Sequence, residues 1–193
     1  MTGQTWWQKH ADAKWESQAG GVNAISRLIV RRRIVEAGYD EVVDFGCGLA
    51  IDAEILENEG VAYTGIEQCE KFRAAIAVRG VSVVDSLSAL PDKSADVVYC
   101  RHVLEHLAEL VPTLLEMIRV AERELIVITA QTPTDSDQLS FDPDRDLYWN
   151  VWGKPSYAAA LREAGVHSYG WENLQSFEGI GGKDESILYA RLR

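Results

Sequence analysis

The chain has 193 residues, 47% of them apolar, and a formal net charge of −11. That length suits one domain with a single core. The acidic balance argues against a protein that grips a nucleic-acid backbone, because neutralising phosphates needs a basic face. No apolar run approaches a membrane span, and the opening MTGQTWWQKH lacks the shape of a signal peptide. A cytoplasmic protein is therefore expected, a monomer or homodimer with neither nucleic acid nor membrane as partner. Three cysteines, Cys47, Cys69 and Cys100, are odd in number and show no CxxC spacing. They indicate neither a disulfide framework nor a zinc knuckle, and no metal is expected.

In chain order, Trp6 to about Gln18 reads as a helix, with Trp7, Ala11 and Trp15 at i, i+4, i+8 on one face. Gly20-Gly21 interrupts. A second helix follows from about Asn23 to Ala37, with Ile25, Leu28, Ile29 and Val35 in its apolar stripe. Arg31-Arg32-Arg33 inside it reads as a solvated face. An alternation then begins. EVVDF is a strand and Ile51–Glu59 a helix; VAYTGIE is a strand and Glu70–Arg79 a helix. VSVVD is a strand followed by the turn SLSALPDK. ADVVYC is a strand, with helix expected over His102–Leu110 and over Thr113–Glu122. ELIVITA is the next strand. The strands are apolar without strict alternation, as in a sheet covered on both faces. Such units predict a doubly wound, largely parallel α/β sheet. After a helix from about Pro155 to Ala164, strand-like runs near Trp171–Phe177 and Ile187–Leu192 flank GIGGKDE, a hairpin signal that adds a late antiparallel strand.

The first strand of the alternation ends in VVDFGCG. Ligands of open α/β sheets sit beyond the carboxyl ends of the strands. Glycines there allow close backbone approach, although a tight strand–helix turn would use them too. A dinucleotide fingerprint needs a third glycine where this chain has Ile51, and no GxxxxGK[ST] phosphate loop occurs. Glu67, ending the next strand, is placed to accept both hydroxyls of a ribose. An adenosine ligand without a pyrophosphate fits both observations.

Taken together, VVDFGCG, YTGIE, VVDSLSALPDKSADVVYCRHVLEHL and ELIVITA resemble the class I S-adenosylmethionine-dependent methyltransferases, with the motifs in the family's order from the second helix onward. The resemblance implies a Rossmann-like, seven-stranded, mostly parallel sheet with a reversed seventh strand. It implies that Asp44, Gly46, Cys47 and Gly48 lie at the methionine end of the cofactor. Glu67 would take the ribose hydroxyls and Gln68 lie under the adenine. Asp85 would meet the adenine amino group, Ser86 and Leu87 would complete the pocket, and Cys100 and Arg101 would close it. Ala50 stands at the third small position of the glycine motif.

Methyl transfer from a sulfonium is an in-line displacement. A general base is needed only where the acceptor must lose a proton. His102 and His106, in CRHVLEHL, are the candidates. HVLEH also matches the H-x-x-E-H pattern of zinc hydrolases. A position after a parallel strand in a methyltransferase-like frame disfavours that reading. Two segments could cover the acceptor: residues 1–20 as a lid carrying Trp6 and Trp7, and 131–153 as a loop carrying Tyr148, Trp149 and Trp152. Aromatic side chains beside acids suit an apolar or cationic small molecule. The expected function is methylation of a small-molecule acceptor with S-adenosylmethionine, leaving S-adenosylhomocysteine. The alternatives are an enzyme acting on a protein or RNA end, and a non-catalytic methyltransferase-like partner subunit.

Overall fold

Consecutive β-branched and apolar residues form short strands that can be buried from both sides. They run β1 Glu41–Phe45, β2 Ala62–Ile66, β3 Ser82–Val84, β4 Ala95–Arg101, β5 Ala121–Thr129, β6 Phe141–Asp142, β7 Leu147–Tyr148, β8 Ser168–Leu174 and β9 Glu185–Arg191. The computed structural model describes residues 6–11, 24–174 and 184–193. Trp15, Gly20-Gly21 and residues 175–183 lie outside them. The helices are α1 over 6–11, α2 Ile25–Glu36, α3 Ala53–Asn58, α4 Glu70–Val78, α5 Val111–Val120 and α6 Lys154–Glu163.

Seven strands form one sheet in the order β3-β2-β1-β4-β5-β9-β8. The pairs from β3 to β5 are parallel, and β9 runs antiparallel to both β5 and β8. The doubly wound sheet with a reversed last strand is as expected. Alternate residues feed two cores. Val43, Phe45, Val98 and Val127 pack against Leu114 and Met117 of α5 and Leu161 of α6. Val42, Val97, Ile126 and Ile187 pack against Val30 and Ile34 of α2 and Leu56 of α3.

Three local expectations are corrected. First, α2 buries Ser26, Val30, Arg31 and Ile34, while Ile25, Leu28 and Val35 are exposed. The face is chosen by ion pairing: Arg27 and Arg31 both reach Asp52, and Arg33 forks onto buried Glu124 at 2.5 and 2.9 Å. Only Arg32 of the arginine run stands in solvent, paired with Glu36. Second, no helix covers His102–Leu110. A 3-10 turn spans Leu104–His106, and α5 starts at Val111 with Pro112 in its first turn. Proline has no N–H to lose there and presets the helical φ, so it opens the helix. Third, residues 131–153 are not a plain loop. Phe141 pairs with Tyr148 and Asp142 with Leu147, and Gln138 bridges Val151, making an antiparallel finger.

Candidate active site

The glycine loop leaves β1 through left-handed backbone. Gly46 has φ +76° and Gly48 φ +59°. A Cβ on Gly46 would fall 2.2 Å from Val103 Cγ2, so the segment after β4 rests directly on the loop. Gly46 and Cys47 donate their N–H groups to the Ile66 carbonyl at 2.8 and 3.0 Å, tying the loop to β2. The Cys47 side chain is buried against Gly65, where a Cβ would come within 2.6 Å of Sγ. Cys47 therefore packs inward, and its loop contribution is backbone. Ala50, at the third small position, also takes a left-handed φ of +49°.

Glu67 links this loop to the next strand ends. Its carboxylate accepts from Gly48 N at 2.9 Å and Cys69 N at 2.7 Å, and its own N–H donates to Val84 O at 3.0 Å. Burial pushes its carboxyl above the usual range, against those backbone donors. A carboxylate has about four acceptor sites, so capacity remains for two ribose hydroxyls. Asp85 is exposed at the end of β3, with Ser86 Oγ at 3.0 Å. Leu87 is buried in the core. Arg73 and Arg79, which no sequence motif marks, brace the loop. Arg73 donates to the Glu67 and Gln68 carbonyls, and Arg79 to those of Leu49 and Ala50. A donor–carboxylate–donor arrangement across three adjacent strand ends suits an adenosine moiety.

Asp44 sits one layer below. It is buried, and accepts from Tyr63 at 2.6 Å and Tyr99 at 2.7 Å. Tyr99 also contacts Asp52 at 2.6 Å, and Asp52 holds Arg27 and Arg31. Burial, then the neighbouring Asp52 charge, raises the Asp44 carboxyl to about 6. Cys100 is wholly buried, so its side chain does not face this rim.

Beyond β4 the rim is built of side chains. Arg101 donates to Ser26 Oγ at 3.2 Å and to Glu185 Oε1 at 2.7 Å. His102, at φ +55°, brings Nε2 to 2.6 Å from the same oxygen. His106 Nδ1 lies 2.9 Å from the Tyr148 carbonyl, which can only accept, so Nδ1 carries the proton. Its ring meets Trp7 at 5.7 Å and Trp149 at 4.8 Å, both edge-on. Helix α1 and the finger thus converge on one histidine. Trp6 stands against Trp7 and stacks on His10. The rest of α1 crosses the glycine loop, where Ala11 packs with Leu49, Cys69 and Phe72. Tyr148 leans on Phe141, and buried Trp152 donates to the Leu104 carbonyl at 2.7 Å as a pillar of the finger. A cavity of about 70 Å³ opens among Glu105, Thr129, Gln131, Trp149, Trp152 and Tyr157. Among the described residues no three His, Cys, Asp or Glu side chains group as a metal site, and no helix is long and apolar enough to cross a membrane.

A family model described as a methyltransferase domain matches residues 43–128, the stretch from the glycine loop to the end of β5. Solved structures agree in fold. A structure of the cyclase SpnF aligns with TM-score 0.70 at 19% identity, covering 98% of this chain and 96% of its own. The 1,6-didemethyltoxoflavin-N1-methyltransferase of Burkholderia thailandensis, solved with its acceptor and S-adenosylhomocysteine, gives 0.67 at 16% identity over 99% and 90%. An S-adenosylmethionine-dependent methyltransferase of Mesorhizobium loti gives 0.67 at 14% identity over 89% and 100%. No curated protein matches in sequence. The methyltransferase-domain match over residues 43–128 and the seven-stranded sheet together give the chain the fold of the class I, Rossmann-like methyltransferases. The domain match, with S-adenosylhomocysteine bound in the Burkholderia structure of the same fold, supports S-adenosylmethionine as the cofactor.

Proposed function

We propose that the protein transfers a methyl group from S-adenosylmethionine to a small-molecule acceptor. The carrying observation is the enclosure of the rim: Trp7 of α1 and Trp149 of the finger close on His106 from two sides. An extended polymer would need an open groove there. The acidic chain also gives a nucleic acid little electrostatic hold. The 70 Å³ cavity holds about two waters, at ~30 Å³ each, so it would take one substituent of an acceptor lying between lid and finger.

The bound cofactor supplies an activated methyl group. The loop of Gly46 and Gly48, with Glu67 and Asp85, would fix the nucleoside. Gln68 and Ser86 border that pocket, and Leu87 supports it from the core. α1 and the finger would exclude water and orient the acceptor. Orientation of that kind can supply roughly 7–11 kcal/mol of barrier reduction. His102 and His106 are the groups able to take a proton at the acceptor side.

Calorimetric titration with S-adenosylmethionine, S-adenosylhomocysteine and NAD, with Glu67→Ala as control, tests the nucleoside site. Both sulfur ligands should bind, NAD should not, and the variant should lose about tenfold or more in affinity. A mass-spectrometric acceptor screen follows, scored both for added methyl groups and for conversion without one, since the cyclase shares this fold. Trp149→Ala should lower acceptor turnover about tenfold while cofactor affinity stays within about twofold. Equal loss of both would sink the acceptor role of Trp149.

A further inference from the structure

Arg101, His102 and Glu185 form a cluster that the glycine-loop motifs do not include. It joins three elements: Ser26 of α2, Arg101 and His102 at the end of β4, and Glu185 at the start of β9. His102 immediately precedes Val103, which touches the glycine loop at Gly46. The residue therefore stands at the end of β4, one position from the glycine loop, with its ring toward Glu185. Its backbone is in the left-handed region, which a non-glycine residue occupies at a cost and which recurs at functional sites. Nε2 lies 2.6 Å from Glu185 Oε1, too obliquely for a hydrogen bond, and it has no hydrogen-bond partner among the described residues, so this close carboxylate is its one polar neighbour in reach. About a quarter of the side chain (26%) is open to solvent.

Resting on the methyltransferase reading above, we propose that Glu185 is a positioning residue: it holds His102 by Nε2 and leaves Nδ1 to take a proton from a hydroxyl acceptor, so that the protein is an O-methyltransferase. The charges around the ring support the neutral form at rest. Glu185 and Arg101 already cancel, and Arg27 adds a second cation. Burial, together with Arg101 and Arg27, opposes a charged imidazole, although Glu185 favours it. A neutral ring beside a carboxylate places its proton on the nitrogen facing that carboxylate, here Nε2.

During transfer, an acceptor oxygen lone pair forms the new C–O bond. The electron pair of the broken C–S bond stays on sulfur, and the hydroxyl proton passes to Nδ1. One positive charge leaves the sulfonium and one appears on the imidazole, so the charge of the enclosed site is unchanged. Glu185 then faces the imidazolium it is placed to stabilise. A weak base suffices for a hydroxyl, which becomes strongly acidic as its oxygen gains the methyl group. A carbon acid must lose its proton before it has a lone pair to attack with, and a neutral amine attacks without any base. This cluster therefore fits a phenol or an alcohol best.

The test needs no known acceptor to begin. Nitrogen-15 NMR of histidine-labelled full-length protein, with S-adenosylhomocysteine added and His102→Gln used for assignment, reads the tautomer. The expected result at pH 7 is a neutral His102 with Nε2 protonated and Nδ1 bare. An imidazolium, or a proton on Nδ1, overturns the proposal. Glu185→Gln should move the His102 titration to lower pH while S-adenosylhomocysteine affinity stays within about twofold. An unmoved titration would reduce Glu185 to a structural role. In the acceptor screen, phenols or alcohols should be methylated, with kcat falling about 10- to 100-fold in Glu185→Gln and KM little changed. Methylation of amines or carbon acids alone overturns the hydroxyl class. Failure of the methyltransferase reading would show separately, as absent binding of the sulfur ligand by calorimetry.

Discussion

Two carboxylates flank the end of β4 and meet opposite fates. Asp44, on the β1 side, is buried between two tyrosine hydroxyls with Asp52 nearby, and its carboxyl rises to about 6. Glu185, on the β9 side, faces Arg101 and His102; burial would raise its carboxyl, but His102, Ser26 and Arg101 outweigh that and hold it down to about 2. Each accepts from two or more side chains. The difference lies in what those partners carry. Neutral hydroxyls donate without offsetting a buried charge, whereas a guanidinium offsets it directly. On the β1 side the charges that balance the network are one residue further away, where Asp52 gathers Arg27 and Arg31.

The largest effect should come from breaking that remote balance. Asp52→Ala would take the shared carboxylate from two largely buried guanidiniums and is expected to destabilise the fold by about 3–5 kcal/mol. Denaturant unfolding would measure it. A loss under about 1 kcal/mol would mean that Tyr99 and Asp44 suffice to hold α2, and the contrast between the two sides would weaken.

The two carboxylates should also respond to pH with opposite sign. A carboxyl raised in the fold contributes stability that is full below its usual pKa and is lost as pH climbs through the folded value. For Asp44 that window runs from 3.8 to about 6. A lowered carboxyl contributes stability that is present above its usual pKa and is lost as pH falls through the folded value. For Glu185 that window runs from 4.5 down to about 2. Wild type minus Asp44→Asn should therefore favour wild type more in mild acid than at neutrality, by on the order of 2–3 kcal/mol. Wild type minus Glu185→Gln should favour wild type more at neutrality than in strong acid. Slopes of the same sign in both comparisons would mean that the two carboxylates are held alike.

Gly46→Ala sharpens the comparison on the backbone-built side. The added Cβ meets Val103 Cγ2 at 2.2 Å and takes a φ of +76°. A destabilisation of about 1–3 kcal/mol is expected, with cofactor affinity lost in parallel because the loop and the β4 end move together. A thermal melt and a calorimetric titration on the same sample check both.

The two sides also differed in how far the sequence revealed them. Gly46, Gly48 and Glu67 were legible because their partners are local: Gly46 bonds the backbone of the neighbouring strand, Gly48 bonds the Glu67 carboxylate at that strand's end, and spacing along the chain announces it. Glu185 was not, because it meets His102 only after β9 inserts between β5 and β8, 83 residues downstream. The sheet order was readable from alternation and one hairpin signal. The face of α2 was misread because hydrophobic periodicity ranks Ile25 and Leu28 above Arg31, and ion pairs to Asp52 and Glu124 reversed that ranking. HVLEH was expected to be helical, yet the strand exits through a left-handed His102, a conformation that composition does not foretell.

The arginine run isolates that lesson at the smallest scale. Arg31, Arg32 and Arg33 share a helix and a residue type, and differ only in direction. Arg32 is paired with Glu36 at i,i+4 with both side chains mostly in water, 78% and 62% exposed. Such pairs contribute about 0.2–0.5 kcal/mol and fade with salt. Arg32→Ala should therefore change stability by no more than about 0.5 kcal/mol, with less effect still in high salt. Arg33→Ala leaves buried Glu124 with only the Tyr39 hydroxyl as a side-chain donor among the described residues, and should cost several times more. Equal costs at both positions would mean that α2 is not oriented by its buried ion pairs. The apolar stripe of Ser26, Val30 and Ile34 would then have to hold the helix alone, although its first member is a serine.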